Sequence, residues 1–181
     1  MRSLFKSKHR VTQTFANNLI LNGKEYYKQF VDSAGNRLQG HEGLDLVPTG
    51  TVWDVLNLED GVVVRDIDDA TQDKGLGKNV TVWHPAIRKA TQYGHLASND
   101  VKLGDRVTKG QKLGLMGATG SARGAHVHLN LFDVDDNGVR LNRNNGFWGG
   151  LDPEPFLAED TTPVFDYQAE IDKLRKERDD N

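Results

Sequence analysis

The sequence predicts a mainly β protein of antiparallel strands, followed by a C-terminal helix. Four short segments are rich in Val, Thr, Trp and Tyr, the residues that favour strands: 52–55, 61–66, 79–83 and 90–96. Turn residues separate these segments, and the chain contains 19 glycines. Because the turns recur about every ten residues, the pattern favours hairpins or a sandwich over a helical bundle.

The composition changes after Pro163 and predicts a separate C-terminal segment. Residues 166–181 contain neither Gly nor Pro and are dense in charge. Apolar residues there follow helical spacing, which forms a narrow stripe: Val164, Tyr167, Ile171 and Leu174. We therefore divide the chain into a domain over 1–160 and a charged helix over 161–181. The helix either lies on its own domain or docks to a partner as a short coiled coil or anchor.

Composition excludes several classes of protein. Its 23 Lys and Arg against 26 Asp and Glu give a net charge of −3, without the basic excess of a nucleic-acid binder. Because the chain has no cysteine, disulfides are excluded, and nitrogen and oxygen atoms must hold any transition metal. No apolar run approaches the roughly 7–15 residues of a signal peptide or the about 20 of a membrane span. We expect neither.

A His-x-His pair forms the first candidate metal-binding element. Alternation along residues 125–132 places His126, His128 and Asn130 on one face of a strand. The opposite face is apolar, formed by Val127, Leu129 and Leu131. A strand with two imidazoles on one face and apolar side chains on the other is typical of a metal-binding cleft.

The second candidate element contains His41 and Asp45, four residues apart. On a helix, this segment would be similar to the His-Glu-x-x-His zinc motif, with Glu42 as general base. Each interior glycine costs about 1 kcal/mol in a helix. Helix-breaking residues crowd the segment: Gly40, Gly43 and Pro48. We therefore place both candidate ligands on an extended segment whose apolar residues face the core: Leu44 and Leu46.

These elements, with His95 in Tyr93-Gly94-His95-Leu96 between them, resemble the lysostaphin-type zinc endopeptidases that cut peptidoglycan cross-links. The resemblance runs from about residue 11 to residue 157 and implies a compact antiparallel fold with a groove across the sheet. It implies that zinc is held by His41, Asp45 and His128, and that His95 and His126 form the catalytic pair. The chain has Ala125 where the family commonly has Pro, and Leu129 where it usually has Phe. Small residues are usual at the position of Arg123, so we expect that arginine to alter which substrate fits.

This set of residues suits hydrolysis. Three protein ligands leave the fourth position of zinc open, as in catalytic sites, and such an ion lowers the pKa of a bound water molecule to about 7. The reaction also needs a proton acceptor for water, a donor for the departing amine and stabilisation of the oxyanion. We assign the water proton to His126 and the oxyanion or leaving group to His95.

The sequence thus predicts a zinc-dependent endopeptidase acting on the stem or cross-bridge peptides of peptidoglycan. The expected lack of an export signal, with the compact size, favours a phage-encoded lysin. It would be tail-borne in the virion or held in the host cytoplasm before release, and the C-terminal helix would bind other tail proteins. One alternative is a catalytically silent wall-binding or tail structural protein. Another is a zinc peptidase acting on ordinary proteins. All five site positions are filled, which weighs against the silent alternative.

Four other features receive simpler interpretations. Residues 133–138 match the first half of a calcium loop, but Asn137-Gly138 between β-prone runs predicts a hairpin turn. We expect His84, before Pro85, to be a turn residue and His9 to lie in a frayed terminus. Tyr26 and Tyr27 are expected to line the groove, with one of them turned to the core.

Overall fold

The computed structural model describes residues 2–158. Within that range the chain forms twelve strands, one α-helix and two short 3-10 helices over 27–29 and 85–87. In chain order the strands and helix are β1 (His9–Gln13), β2 (Ile20–Leu21), β3 (Lys24–Glu25), β4 (Leu44–Pro48), β5 (Asp54–Leu56), β6 (Gly61–Ile67), β7 (Lys78–His84), β8 (Lys89–Asn99), β9 (Arg106–Val107), β10 (Lys112–Met116), β11 (Val127–Asp133), β12 (Gly150–Leu151) and α1 (Pro153–Ala158).

Ten of these strands form one antiparallel sheet in the order β1-β4-β11-β8-β7-β6-β9. β10 pairs with β5 and β8, β12 pairs with β11, and β2 and β3 form a separate hairpin. The predicted mainly β, antiparallel class is confirmed, and the four β-prone segments correspond to β5 to β8. The helix predicted over 161–181 lies outside the described residues. The helix that is described, α1, is short and precedes it.

The two faces of the central strands serve different purposes. Leu44 and Leu46 of β4 are fully buried in the core, as the extended interpretation of this segment predicts. From β11, three alternate residues enter the same core: Val127, Leu129 and Leu131. The intervening polar residues of β11 therefore face the other side of the sheet. Within residues 2–158 no helix has the length and apolar character needed to cross a bilayer.

Residues 133–138 form the predicted turn. The Asp135 carboxylate accepts hydrogen bonds from the backbone N–H groups of Asn137 and Val139 at 2.9 and 2.8 Å. Gly138 has a φ of 78°, a conformation that glycine adopts without a steric penalty. Val134 and Arg140 form a β-bridge across the turn, and Asp135 stabilises the turn itself.

Two predictions about isolated histidines were wrong. His84 is the last residue of β7 and is completely buried, and both ring nitrogens have hydrogen-bond partners that offset the cost of burying them. Nδ1 lies 3.0 Å from the carbonyl oxygen of Asp60, and Nε2 lies 2.8 Å from the hydroxyl of Thr91. His9 is the first residue of β1 and pairs with Pro48 of β4, so this terminus joins the sheet instead of fraying.

The buried His84 predicts a pH dependence of stability. Burial lowers its pKa below the ordinary value of 6.5. As the pH falls below 6.5, the unfolded chain therefore binds a proton that the native protein excludes, until the lower native pKa is reached. Over that window one such group lowers the free energy of unfolding by up to about 1.4 kcal/mol per pH unit.

We expect His84→Gln to flatten this dependence. The measurement is urea unfolding of the metal-free wild type and metal-free His84→Gln between pH 7 and pH 5. Parallel pH profiles for the wild type and His84→Gln would contradict the argument.

Candidate metal centre and groove

The three predicted metal ligands converge at one point. Asp45 of β4 and His128 of β11 are directly paired across the antiparallel strands, and His41 lies just before β4. Asp45 Oδ1 is 3.0 Å from His128 Nδ1 and 3.2 Å from His41 Nε2. The two imidazole nitrogens are 3.0 Å apart. All three residues are buried, so the structure forms a compact group of two nitrogens and one oxygen.

This group suits a zinc ion. Zinc–ligand distances of about 2.0–2.1 Å with tetrahedral angles place ligand atoms roughly 3.3 Å apart. The observed separations of 3.0 to 3.2 Å are close to that value. Nitrogen and oxygen donors are also the only ones available to a chain without cysteine. The donor set therefore fits the predicted ion.

Neighbouring groups orient two of these ligands. His41 Nδ1 lies 3.0 Å from the Thr14 carbonyl oxygen, which can only accept, so Nδ1 carries the hydrogen and Nε2 remains free to bind metal. His128 uses Nδ1 instead, and its Nε2 is buried without a hydrogen-bond partner in the described chain. The carboxylate nearest to that atom belongs to Glu42, at 3.7 Å. Gly43 covers the same ring closely, because a Cβ there would lie 2.6 Å from Nε2.

His95 reaches the site through a β-bulge. Regular alternation would send His95 to the same face as Tyr93, which is fully buried in the core. Between Tyr93 and Leu96, however, β8 contains one more residue than β7. His95 takes a φ of 62° there, a left-handed conformation that costs about 1–3 kcal/mol and is typical of functional sites. The bulge turns the ring towards the ligands, 5.9 Å from the His128 ring.

Two backbone carbonyls set the tautomers of the predicted catalytic pair. His95 Nδ1 donates to the Thr119 carbonyl at 2.8 Å, and His126 Nδ1 donates to the Gly124 carbonyl at 2.9 Å. In the neutral rings, Nε2 is therefore the atom without hydrogen. His126 Nε2 lies 3.5 Å from Asp45 Oδ2, and the rings of His95 and His126 are 4.7 Å apart. Both imidazoles thus stand beside the metal ligands.

Burial and mutual contacts shift the pKa values in this cluster. Burial disfavours the Asp45 carboxylate, but hydrogen bonds from His128 and His41 outweigh it and hold the pKa of Asp45 well below its usual range. Burial lowers the pKa of His95 to about 4, helped by the charges of neighbouring histidines. Burial also disfavours the charged form of His128, yet Asp45 and Glu42 raise its pKa overall.

A groove of about 550 Å³ passes over the histidine cluster. Tyr26 and Tyr27 both line it, since a 3-10 helix at 27–29 replaces the alternating strand assumed from the sequence. Tyr27 nevertheless is buried, with its ring 5.5 Å from that of His41. Arg123 also lines the groove, with its guanidinium 5.8 Å from the Tyr26 ring, and its expected effect on which substrate fits stays a prediction.

Sequence reasoning missed the residues that support the ligands. Thr14 and Thr119 act through backbone carbonyls, and such contacts have no residue-type signature. In the sequence, Gly43 serves only as evidence against a helix, and Glu42 only as the general base of the helical alternative. Their positions next to His128 depend on how β4 and β11 pair, which a single sequence does not specify.

Comparison with known proteins identifies the family. The sequence model of peptidase family M23 matches residues 39–143, more than half of the chain and all five candidate site residues. The chain belongs to peptidase family M23. The predicted metallopeptidase class and the lysostaphin-like fold are thereby confirmed, and the three predicted ligands form a group that could hold a metal ion.

Curated relatives of the M23 chain include two cell-wall enzymes of Vibrio cholerae. The peptidoglycan DD-endopeptidase ShyA is 36% identical over 96 residues, which cover 52% of this chain and 21% of ShyA. The peptidoglycan DD-endopeptidase ShyC is 33% identical over 108 residues, which cover 59% of this chain and 22% of ShyC. The chain thus matches about a fifth of each relative's length.

Solved structures show the same fold. The catalytic domain of lysostaphin from Staphylococcus simulans superposes with a TM-score of 0.60 at 23% identity, covering 88% of this chain and all of that domain. The catalytic domain of EnpA, a prophage-encoded M23 protein from Enterococcus faecalis, gives a TM-score of 0.54 at 25% identity. That match covers 78% of this chain and 93% of EnpA's domain.

The close approach of Gly43 to His128 predicts that a single methyl group weakens metal binding. In Gly43→Ala, the new Cβ would lie 2.6 Å from both His128 Nε2 and the Leu129 carbonyl oxygen, so the ligand must shift. Overpacking of this kind costs about 1–3 kcal/mol, so we expect zinc affinity to fall about 5- to 150-fold. Competition with a chromogenic chelator measures the affinity.

Gly124→Ala is the matched control, because a Cβ at Gly124 meets no atom within 4 Å. Equal zinc affinities for Gly43→Ala and Gly124→Ala would contradict the packing argument.

Proposed function

We propose that this M23 peptidase hydrolyses peptide bonds in the stem or cross-bridge peptides of bacterial peptidoglycan, using one zinc ion. The observation that carries the proposal is the convergence of His41, Asp45 and His128 beside two further imidazoles. A structural metal site would not need His95 and His126, whose Nε2 atoms carry no hydrogen in the neutral rings. A groove passes over the cluster and can hold an extended peptide.

Different residues of the chain take part in different steps of peptide-bond hydrolysis. Zinc, when bound, polarises the scissile carbonyl and acidifies water. His126 accepts the proton of the attacking water at Nε2, since its Nδ1–H is already donated to the Gly124 carbonyl. The proton that His126 takes from water is passed on to the departing amine. His95 serves the same leaving group, because its neutral Nε2 carries no hydrogen and can accept a hydrogen bond from the amine. Asp45, next to His126 Nε2, stabilises the imidazolium that forms.

The substrate class is supported by the curated relatives. ShyA and ShyC are both named as peptidoglycan DD-endopeptidases, and the matched regions are more than 30% identical to this chain. Family M23 membership supports the same reaction type.

Substitution separates ligands from catalytic residues. We expect His128→Ala and Asp45→Ala to lose both bound zinc and activity, because each removes one of three ligands. His95→Ala and His126→Ala should retain zinc and lose about 10²–10⁴ in kcat, the usual range for acid–base catalysis. Zinc content by mass spectrometry and turnover of a defined peptide are measured on the same preparations.

His9→Ala, a histidine of β1 outside the groove, is the control and should match the wild type in both measurements. A zinc-free His95→Ala protein, or full activity without His95 or His126, would refute the assigned roles.

Digestion of purified sacculi tests the function as a whole. We expect release of soluble peptides, abolished by a chelator and restored by zinc. Binding without cleavage would favour the silent wall-binding alternative, and cleavage of casein without cleavage of sacculi would favour a general peptidase. Mass spectrometry of the fragments then identifies the bond that is cut.

We further propose that the protein is a phage-encoded lysin, carried in the virion tail or held in the host cytoplasm until release. The similarity to prophage-encoded EnpA supports this origin. In this proposal residues 161–181 bind other tail proteins. Deleting residues 160–181 should then preserve sacculus hydrolysis and remove the protein from purified particles. Loss of hydrolysis with unfolding would contradict the anchor role.

A further inference from the structure

Arg140 presents an unpaired charge to the groove. Its guanidinium lies 3.4 Å from the centroid of the Phe132 ring, and Nη1 donates to the Trp148 carbonyl at 3.2 Å. The aliphatic stem packs on Gly149, where a Cβ would lie 3.0 Å from the stem carbons. Among residues 2–158, no carboxylate forms a salt bridge with Arg140, although it carries five N–H donors.

The surroundings of Arg140 favour an incoming negative charge. Burial, and then the positive charges of Arg143 and Arg65, lower the pKa of Arg140 to about 10, which still leaves it charged at neutral pH. Glu42 opposes this shift, but its carboxylate lies on the His128 side, 3.7 Å from Nε2. Arg140 is half-buried, and a cation partly removed from water without a paired anion is costly. An anionic group entering the groove would offset that cost.

The position of Arg140 defines which part of a substrate it meets. His128, Asn130 and Phe132 alternate along the groove side of β11, and all three line the groove. At about 3.3 Å per residue, Phe132 lies roughly 13 Å from His128. An extended peptide covers that distance with about four residues. Arg140, above Phe132, therefore stands about four residues from the bond placed at the metal.

We infer that Arg140 forms a carboxylate-binding subsite that selects peptides with a free carboxylate about 13 Å from the cleaved bond. The planar guanidinium matches a carboxylate in a two-point interaction, and its stacking on Phe132 fixes the plane. The inference rests on the proposed function and adds to it a preference for substrates that carry a free carboxylate. Peptidoglycan peptides fit this chemistry because their stems carry free carboxylates, at side branches and at the C-terminus, that some walls convert to amides.

The test compares one substrate with and without its negative charges. The probe is a cross-linked muropeptide dimer purified from digested cell wall, used untreated or after carbodiimide coupling to ammonia, which converts free carboxylates to amides. We expect zinc-loaded wild-type protein to cleave the untreated dimer with kcat/KM about 10- to 100-fold higher, the range for hydrogen bonds to charged groups. Arg140→Gln should reduce that ratio to about one.

Two variants control for general effects. Arg106→Gln, at an exposed position of β9, should keep the wild-type ratio. Arg140→Lys keeps the charge without the planar fork and should give an intermediate ratio. If Arg140→Gln fails to fold, Arg140→Lys tests the subsite in its place. A kcat/KM ratio of untreated to amidated dimer that is the same in Arg140→Lys as in the wild type would then refute the subsite.

Failure of the inference is distinguishable from failure of the proposed function. Cleavage of both dimers at equal rates by the wild type, or an undiminished ratio in Arg140→Gln, overturns the subsite and leaves the hydrolase intact. Cleavage of neither dimer contradicts the hydrolase. Calorimetric titration of both dimers into zinc-loaded His126→Ala then tests the subsite alone, and equal affinities overturn it.

Discussion

The register between β4 and β11 is the constraint on which the site depends. It places Asp45 directly opposite His128, so a carboxylate oxygen and an imidazole nitrogen meet on the groove side. The same pairing sends Leu44 and Leu129 into the core. A shift of one residue would turn every side chain of a strand to the other face. Core packing therefore fixes the ligand geometry, because the register that buries the leucines is the one that joins the ligands.

Around that pair, the backbone supplies orientation. The carbonyls of Thr14, Thr119 and Gly124 each accept a hydrogen bond from the Nδ1 of a histidine, which leaves Nε2 free on the site side in three rings. The bulge in β8 also contributes, because it turns the His95 ring away from the core side of its strand. The sheet thus provides rigid positions, and loops at its edge determine the proton positions that the proposed chemistry uses.

Much of this arrangement follows from sequence patterns. Alternation predicted the faces of β11, and the glycines and proline around His41 predicted an extended segment. The grouping of distant elements came from the family resemblance, since residues 41 and 128 have no local relation. Alternation does not describe His95, where the bulge overrides it. One of Tyr26 and Tyr27 is buried as expected, namely Tyr27, but a 3-10 helix and not an alternating strand buries it. It also gave no sign that His84 is buried, because that depends on its contacts with Asp60 and Thr91.

The central claim is that two imidazoles and one carboxylate from separate parts of the sheet hold a single zinc ion. X-ray absorption at the zinc edge of the purified full-length protein tests it most directly. The account predicts one zinc per chain with nitrogen and oxygen ligands at about 2.0–2.1 Å and the scattering pattern of two imidazoles. A protein that retains no zinc, or a spectrum without imidazole scattering, would contradict it.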